Sequence, residues 1–302
     1  MTIKHLVIMG GGPSGFITYG AAKYLSQINV WNVKNIKSLF ATSIGTYIGL
    51  LLILNMDWEI LDNYIINRPW EKIIDKYDLN DIISVITDKG IIPDDFILKT
   101  LKPIFLSKNL PLNITLKEFY NTNNIDFHLY TSNINGKYIE KIDLSHKTHP
   151  NLELITAIKM STAFPILFKP IIIDNKCYID GGILNNFPLE DCLINTKCDP
   201  NEILAFKNNY ENNYEKDYIT NDSTLFHFLY MFIKSLVRTS EMSSKKNYDD
   251  NINIVQCHNE RLAYENWMDI LVEKKNRIAY IDKGIEIGKA YYEKYKQKMK
   301  ND

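Results

Sequence analysis

Ser43 is the residue of this sequence whose surroundings best fit a catalytic nucleophile. It lies in Ala41-Thr42-Ser43-Ile44-Gly45, between an apolar run typical of a strand and one typical of a helix. A serine at a strand-to-helix turn, with small residues two positions before and after it, is the pattern of a nucleophile elbow, in which backbone strain exposes the hydroxyl. The alternative is an ordinary helix cap, because serine and threonine are preferred there. The motif alone leaves both interpretations open, and other segments of the chain favour the elbow, with Ser43 as nucleophile and Ala41 and Gly45 as the small flanking residues.

A glycine-rich segment, Gly10–Gly15, follows the first apolar run of the chain at residues 5–9 and precedes a helical pattern. Its letters GGGPSG match the G-x-G-x-x-G fingerprint of dinucleotide-binding proteins, which also needs an acidic residue about 20 positions later. The first acidic residue here is Asp57, so an oxidoreductase that binds a flavin or nicotinamide is the weaker interpretation. Main-chain N–H groups at a helix start can instead stabilise an oxyanion. Gly11 and Gly12 are the candidate donors of such an oxyanion hole.

Asp180 precedes Gly181 and Gly182 at the end of a short strand pattern. An aspartate before two glycines can be an ordinary turn residue. It can also be a carboxylate that a tight loop holds in place to accept the proton of a serine, since a hydroxyl is a weak nucleophile without a base in hydrogen-bonding distance. A Ser–His–Asp triad stays open, because triad members meet in space rather than in sequence. The six histidines, none of which lies in a motif of its own, are His5, His128, His146, His149, His227 and His258.

These segments, taken in order, resemble those of the patatin-like phospholipase family. A fourth segment, Ser161–Pro165, has the sequence STAFP and is similar to the Ser-x-Ala-x-Pro stretch that precedes the aspartate in that family. The order of all four, over roughly residues 5–190, is far more specific than any one motif. The resemblance implies a three-layer α/β/α fold with a mainly parallel central sheet. It also implies a Ser–Asp dyad, with Ser43 as nucleophile and Asp180 as base, and an oxyanion loop at Gly10–Gly15.

The same resemblance implies a lipid acyl hydrolase of phospholipase A type, which cleaves fatty-acyl esters through an acyl-serine intermediate. Its substrate would be a lipid or phospholipid, and it would need neither a metal nor an organic cofactor. Two positions depart from the family pattern: Ala41 replaces the first glycine of the elbow, and Ser14 stands where the family usually has arginine or lysine. The Ser14 departure removes a cation near the oxyanion loop. A catalytically silent relative that only binds lipid is therefore a second alternative.

Composition and charge restrict the class of protein. The 302 residues, 45% of them hydrophobic, suffice for one large α/β domain, and the formal net charge of -1 argues against nucleic-acid binding, which needs a concentrated basic face. The longest apolar run, Tyr47–Leu54, is much shorter than the ~20 residues that span a bilayer. Gly10–Gly15 interrupts the first apolar run, so no signal peptide is predicted. We expect a cytoplasmic protein that contacts a membrane surface transiently.

Strand-like runs alternate with helical patterns along the chain, which predicts a mainly parallel sheet covered by helices on both faces. The predicted strands lie near residues 5–9, 38–42, 126–133, 137–143, 171–179 and 202–207. We predict a catalytic domain over residues 1–208, with a helical insertion or cap at 57–120, and a mainly helical part over 209–302 that packs on the same domain. Residues 225–233 are densely aromatic and apolar. A core helix is the favoured interpretation of this stretch, and a segment that faces lipid or lines an acyl channel is the alternative.

Overall fold

The computed structural model describes residues 2–73, 87, 89–210, 218–243, 248–259 and 264–301, and strands and helices alternate along them. The strands are β1 (His5–Ile8), β2 (Ser38–Thr42), β3 (Gly90–Ile92), β4 (Asp126–Asn133), β5 (Glu140–Leu144), β6 (Ile166–Phe168), β7 (Ile171–Ile173), β8 (Lys176–Asp180), β9 (Ile203–Tyr210) and β10 (Asn253–Asn259). The α-helices are α1 (Gly15–Gln27), α2 (Ile44–Ile53), α3 (Trp58–Asn67), α4 (Phe96–Ser107), α5 (Leu116–Asn123), α6 (Leu154–Thr162), α7 (Gly182–Asn185), α8 (Leu189–Thr196), α9 (Leu225–Ser243), α10 (Tyr264–Val272) and α11 (Lys274–Asn301).

The central sheet has the strand order β10-β9-β1-β2-β4-β8-β7, and β5 pairs with β4 outside this sequence of neighbours. The strands from β10 to β4 run parallel, whereas β5, β8 and β7 are antiparallel to the strands they pair with. Every residue of β1 and β2 is buried, as expected for parallel strands with helices over both faces. The predicted mainly parallel sheet is confirmed.

Alternate residues of the inner strands contribute to two separate cores. Leu6 and Ile8 belong to a large core that includes apolar residues of α1 and α2. Val7 and Phe40 belong to a smaller core, to which α8 contributes Leu189. Because successive side chains of a strand point to opposite faces, the two cores lie on the two sides of the sheet. Helices on both sides of one sheet give the three layers that the sequence predicts.

Helix α11 crosses α1 at very short distance. A side-chain carbon at Gly20 would lie 2.1 Å from the carbonyl oxygen of Ile281, and one at Gly284 would lie 2.1 Å from the carbonyl oxygen of Ile17. Glycine at both positions therefore allows the two helix backbones to touch. Since α1 begins at Gly15, this contact holds the helix that follows the glycine-rich segment.

Residues 171–180 form a hairpin rather than the single strand predicted over 171–179. Strands β7 and β8 are antiparallel, and Asp174 and Asn175 between them have φ of 50° and 60°. Positive φ at both central residues is the backbone of a type I′ turn, in which Asn and Asp are favoured. The sequence patterns also do not predict β3, β6 or β10. Two of these have only three residues each, and β10 lies in the part predicted as mainly helical.

The predicted insertion over 57–120 includes α3, β3, α4 and the start of α5. Its residues 74–86 and 88 lie outside the described part of the chain. The division into 1–208 and 209–302 stays a prediction. Among the residues that the structure describes, no helix combines the length and apolar character needed to cross a bilayer.

Candidate active site

Ser43 lies at the sharp turn from β2 into α2. Its backbone has φ 54° and ψ -132°, a conformation that residues with side chains rarely adopt, and its side chain makes no capping hydrogen bond. The turn is therefore a strained elbow rather than an ordinary cap. A side-chain carbon at position 45 would lie 2.6 Å from the carbonyl oxygen of Ile8, so Gly45 must be glycine. Ala41 is fully buried in β2, and the turn accommodates its methyl group.

Ser161 ties this elbow to the neighbouring strand. The Ser43 N–H donates to Ser161 Oγ at 3.0 Å, and Ser161 Oγ donates to the carbonyl oxygen of Tyr130 at 2.6 Å. Ser161 lies near the end of α6 and is fully buried. The Ser161–Pro165 motif thus holds the main chain at Ser43, a role that sequence reasoning did not assign to it.

Asp180 lies directly beside Ser43, and the two residues are called the Ser–Asp pair below. Ser43 Oγ donates to Asp180 Oδ2 at 2.5 Å, and the Gly182 N–H donates to Oδ1 at 2.7 Å. The side chain of Asp180 is buried, and burial raises its pKa to about 6, against the opposing effect of these two hydrogen bonds. Such a carboxylate is ionised at pH 7 and is more basic than an exposed one. It can accept the proton of the serine.

The histidines do not join the Ser–Asp pair. His128, on β4, has its Nδ1 2.8 Å from Asp143 and its Nε2 3.2 Å from Asp126. None of the described residues that line the cavity around Ser43 is a histidine. The Ser–His–Asp alternative therefore lacks its middle member in the part of the chain that the structure covers.

The glycine-rich segment lies at the same place. Residues Gly12–Ser14 form one turn of 3-10 helix that continues into α1, and Gly11 precedes this turn. The first N–H groups of a helix have no partner within the helix, so those of Gly11 and Gly12 suit an oxyanion hole. Gly12 has φ 53°, and a side-chain carbon there would lie 2.4 Å from the Trp267 ring. Both glycines line the cavity that holds the Ser–Asp pair.

The structure also brings the remaining motif glycines to this region. The Gly10 N–H donates to the carbonyl oxygen of Asn186 at 3.1 Å. Gly15 begins α1 next to the first residue of α2. Gly181 and Gly182 lead from β8 into α7. All four positions lie in the packing around the Ser–Asp pair.

A cavity of about 200 Å³ opens above the Ser–Asp pair. Its walls are mainly apolar and include Ile48, Leu51, Trp70, Phe96, Phe164 and Trp267. Trp70 and Phe96 come from the predicted insertion, so part of that insertion forms a wall. An apolar cavity with a few polar groups at one place suits a ligand that is mostly hydrocarbon. A fatty-acyl chain whose ester reaches Ser43 has this character.

Helix α9 contributes only one of its faces to this cavity. Tyr230, Lys234 and Arg238 line it, whereas Phe228 and Phe232 are 47% and 53% exposed. The favoured prediction of a core helix is therefore wrong for the outer half of α9. Tyr230 lies in the stretch 225–233, for which lining an acyl channel was the alternative interpretation, but sequence reasoning did not single out Lys234, Val237 or Arg238, which also line the cavity.

A sequence model described as patatin-like phospholipase matches residues 6–193, which is more than half of the chain. The chain belongs to the patatin-like phospholipase family. Probable lipid hydrolase 463L of Invertebrate iridescent virus 6 is 27% identical to this family member over 197 residues, which cover 62% of each chain. Uncharacterized protein R571 of Acanthamoeba polyphaga mimivirus is 24% identical over 209 residues, which cover 69% of this chain and 67% of that protein. The match thus spans less than two thirds of the length of the lipid hydrolase relative.

Among solved structures, this patatin-like chain is similar to VipD from Legionella pneumophila, with a TM-score of 0.51 and 16% identity. The superposition covers 96% of this chain and 67% of that one. At this identity the likeness is informative about the fold alone. The predicted three-layer α/β/α, patatin-like architecture is confirmed.

Proposed function

We propose that this patatin-like protein is a lipid acyl hydrolase of phospholipase A type, and thus a serine carboxylic-ester hydrolase. The observation that carries the proposal is the distance of 2.5 Å between Ser43 Oγ and Asp180 Oδ2 at the polar end of an apolar cavity. Membership of the family, and a relative named as a probable lipid hydrolase, support a lipid ester as substrate. The proposed mechanism uses neither a metal nor an organic cofactor.

In the first step, Ser43 Oγ attacks the carbonyl carbon of the fatty-acyl ester while Asp180 accepts the hydroxyl proton. The tetrahedral oxyanion forms beside Gly11 and Gly12, whose N–H groups stabilise it by roughly 3–4 kcal/mol per donor. The intermediate then collapses and breaks the bond to the leaving alcohol. That alcohol takes the proton from Asp180, and the acyl group stays on Ser43 as an ester.

In the second step, water attacks the acyl-Ser43 carbonyl carbon while Asp180 accepts a proton from the water. The same oxyanion hole stabilises the second tetrahedral intermediate. The fatty acid leaves, and Ser43 Oγ recovers its proton from Asp180. A pKa of about 6 suits a group that must both accept and return a proton near neutral pH.

Transient contact with a membrane surface is part of the proposal, and it involves the outer face of α9. Its exposed apolar residues recur every three or four positions and form one stripe along the helix. They are Leu225, Phe228, Leu229, Phe232 and Leu236. A contiguous exposed apolar patch usually marks an interaction site. A helix that lies in the head-group region with this stripe inserted would bring the cavity to its lipid.

The dinucleotide alternative gains no support from the structure. Asp57, the first acidic residue after the glycines, caps α3 by accepting a hydrogen bond from the Glu59 N–H at 2.8 Å. The family match extends over Gly10–Gly15. We therefore do not propose an oxidoreductase.

The proposal is tested with a soluble fluorescent acyl ester, labelled phospholipid vesicles and a fluorophosphonate probe. The wild-type protein should hydrolyse both substrates and carry the probe on Ser43, as identified by mass spectrometry. Ser43→Ala should lose hydrolysis and labelling while its melting temperature stays similar. Ser107→Ala, at an exposed serine of α4, is the matched control. Undiminished turnover in Ser43→Ala would refute the nucleophile, and a wild-type protein that neither turns over esters nor reacts with the probe would favour a silent lipid-binding relative.

A further inference from the structure

Helix α9 turns a cationic face toward the cavity. Lys234 and Arg238 are one helical turn apart, so they share a face of the helix, and both line the cavity that holds the Ser–Asp pair. Within the described lining they and Asp180 are the charged side chains. Lysine and arginine at such a position can form charge-assisted hydrogen bonds with an anionic group of a ligand.

A cluster of three aromatic rings links Lys234 to Gly12. A side-chain carbon at Gly12 would meet the Trp267 ring, and Trp267 packs edge to face on Tyr230, with centroids 6.2 Å apart and planes at 88°. Lys234 Nζ lies 5.4 Å from the centroid of the Tyr230 ring, in cation–π contact. Phe164 packs against both Tyr230 and Trp267 at 6.1 and 6.3 Å. The cluster therefore places Lys234 on the side of the cavity where the oxyanion loop lies.

The oxyanion loop itself contributes no positive charge to the cavity. Residues 10–15 are glycines, a proline and Ser14, and Ser14 is buried at the cavity lining. Helix α9 packs on α7, the short helix that follows Asp180. The cations near the Ser–Asp pair thus come from α9 within the described lining.

The orientation of α9 is unusual for a helix that only covers a core. Its apolar Phe228 and Phe232 face outward, while Lys234 and Arg238 face the cavity and are half-buried. The same helix also buries Tyr230 and Met231, so its inner side is both apolar and cationic. An apolar wall beside two cations suits a ligand that joins a hydrocarbon chain to an anionic group.

We propose that Lys234 and Arg238 bind the phosphate of a phospholipid head group while Ser43 attacks the acyl ester. This inference rests on the proposed function and adds the two residues that recognise the head group. The guanidinium of Arg238 can hold two phosphate oxygens at once, and the ammonium of Lys234 adds a point charge. The acyl chain then lies along the apolar walls.

The test compares kcat/KM for dihexanoyl phosphatidylglycerol and dihexanoylglycerol, both kept monomeric so that no charged interface contributes. Lys234→Met and Arg238→Met should each lower the ratio of the two values by about tenfold, because a hydrogen bond to a charged group contributes free energy of that order. Lys234→Arg and Arg238→Lys should each recover part of the ratio. Lys283→Met, at an exposed lysine of α11, is the matched control and should leave the ratio unchanged. Circular dichroism melting verifies that each variant is folded.

An unchanged ratio in both methionine variants, with Ser43-dependent hydrolysis intact, would overturn the phosphate site. An equal loss on both lipids would also overturn it, since that result indicates a structural role. The proposed function fails in a different way, through hydrolysis that persists in Ser43→Ala or through a folded wild-type protein that hydrolyses neither lipid. In the latter case the phosphate site is refuted as a substrate-binding site as well.

Discussion

Thr42 and Asp180 pair with consecutive residues of one strand, Thr42 with Tyr130 and Asp180 with Thr131. Strand β8 therefore continues along the edge of β4 at the point where β2 ends. Ser43 directly follows Thr42, so the register on β4 brings the serine and the carboxylate together across 137 positions of sequence. The central sheet, rather than a local motif, sets the distance within the Ser–Asp pair.

Asp180→Asn should lower kcat by roughly 10²–10⁴-fold, the contribution of a general base. The amide oxygen of asparagine can still accept the Gly182 N–H, so the fold should persist. Turnover of a soluble acyl ester and the melting temperature measure the two effects. Asp222→Asn, at an exposed turn, is the control. Retained turnover in Asp180→Asn would mean that another group takes the serine proton.

The acidic limb of the pH–rate profile should report the pKa of Asp180. Burial raises that pKa to about 6, and the proposed mechanism needs the ionised carboxylate. The value of kcat/KM should therefore be constant above about pH 7 and fall as the pH drops through 6. An ester without titratable groups is the substrate for this measurement. A midpoint near 4, the ordinary aspartate value, would contradict the raised pKa.

Ser161→Ala should lower both the stability of the protein and its ester turnover. The hydroxyl of Ser161 accepts from the Ser43 N–H and donates to Tyr130. Alanine leaves these buried groups without that partner, at a cost of about 1–3 kcal/mol, and the elbow loses a support. Urea unfolding and ester turnover measure both losses. Ser107→Ala is the control because its hydroxyl bonds within its own helix, and wild-type stability of Ser161→Ala would disprove the supporting role.

The free energy of unfolding should decrease in the alkaline pH range because His128 loses its proton there. Burial alone would lower its pKa, but hydrogen bonds and charge attraction from Asp126 and Asp143 outweigh burial and raise the pKa to about 9. The value is higher in the folded state than the ~6.5 of an unfolded chain. The stabilisation is therefore complete below about pH 6.5 and is lost as the pH rises through 9.

Urea unfolding between pH 6 and pH 10 measures this dependence. His128→Gln should remove most of the slope, because glutamine cannot carry the charge. His258→Gln, at an exposed histidine of β10, should leave the slope intact. If His128→Gln showed the same slope as the wild-type protein, the alkaline loss of stability would have another source.

The double variant Phe228→Ser/Phe232→Ser should weaken binding to lipid vesicles by about tenfold or more, since a buried phenylalanine contributes about 1.5–3 kcal/mol. Co-sedimentation with vesicles, in a Ser43→Ala background, measures binding without hydrolysis. With Ser43 intact, the double variant should lose far less turnover of a monomeric ester than of vesicle lipid. Tyr138→Ser removes an exposed aromatic ring elsewhere and is the control. Equal vesicle binding of the double variant and the wild-type protein would exclude the α9 stripe as the contact surface.

Much of the sheet could be predicted because several of its strands, such as β1 and β2, contain short apolar runs. Strands β2 and β4 have the predicted bounds, 38–42 and 126–133. The hairpin that begins at Ile171 was not predicted. Its two strands are so close in sequence that they look like one strand, and the turn at Asp174 and Asn175 was not recognised. Strand β10 was not predicted because polar residues interrupt its apolar pattern.

Some parts of the candidate site follow from the local sequence, whereas others depend on how distant elements pack together. The elbow and the glycines could be predicted, since backbone strain and close packing restrict which residues fit at Ser43, Gly12 and Gly45. The cavity wall from α9 and α10 could not be predicted. Residues 225–233 are apolar at almost every position, so the sequence does not show which face of the helix is turned toward the cavity.

The crossing of α1 and α11 makes the glycine-rich segment depend on a distant part of the chain. Helix α1, which follows that segment, touches Ile281 and Gly284 of α11 through Gly20 and Ile17. These residues do not line the cavity. A change at this helix crossing would therefore act on the proposed oxyanion hole from outside the cavity.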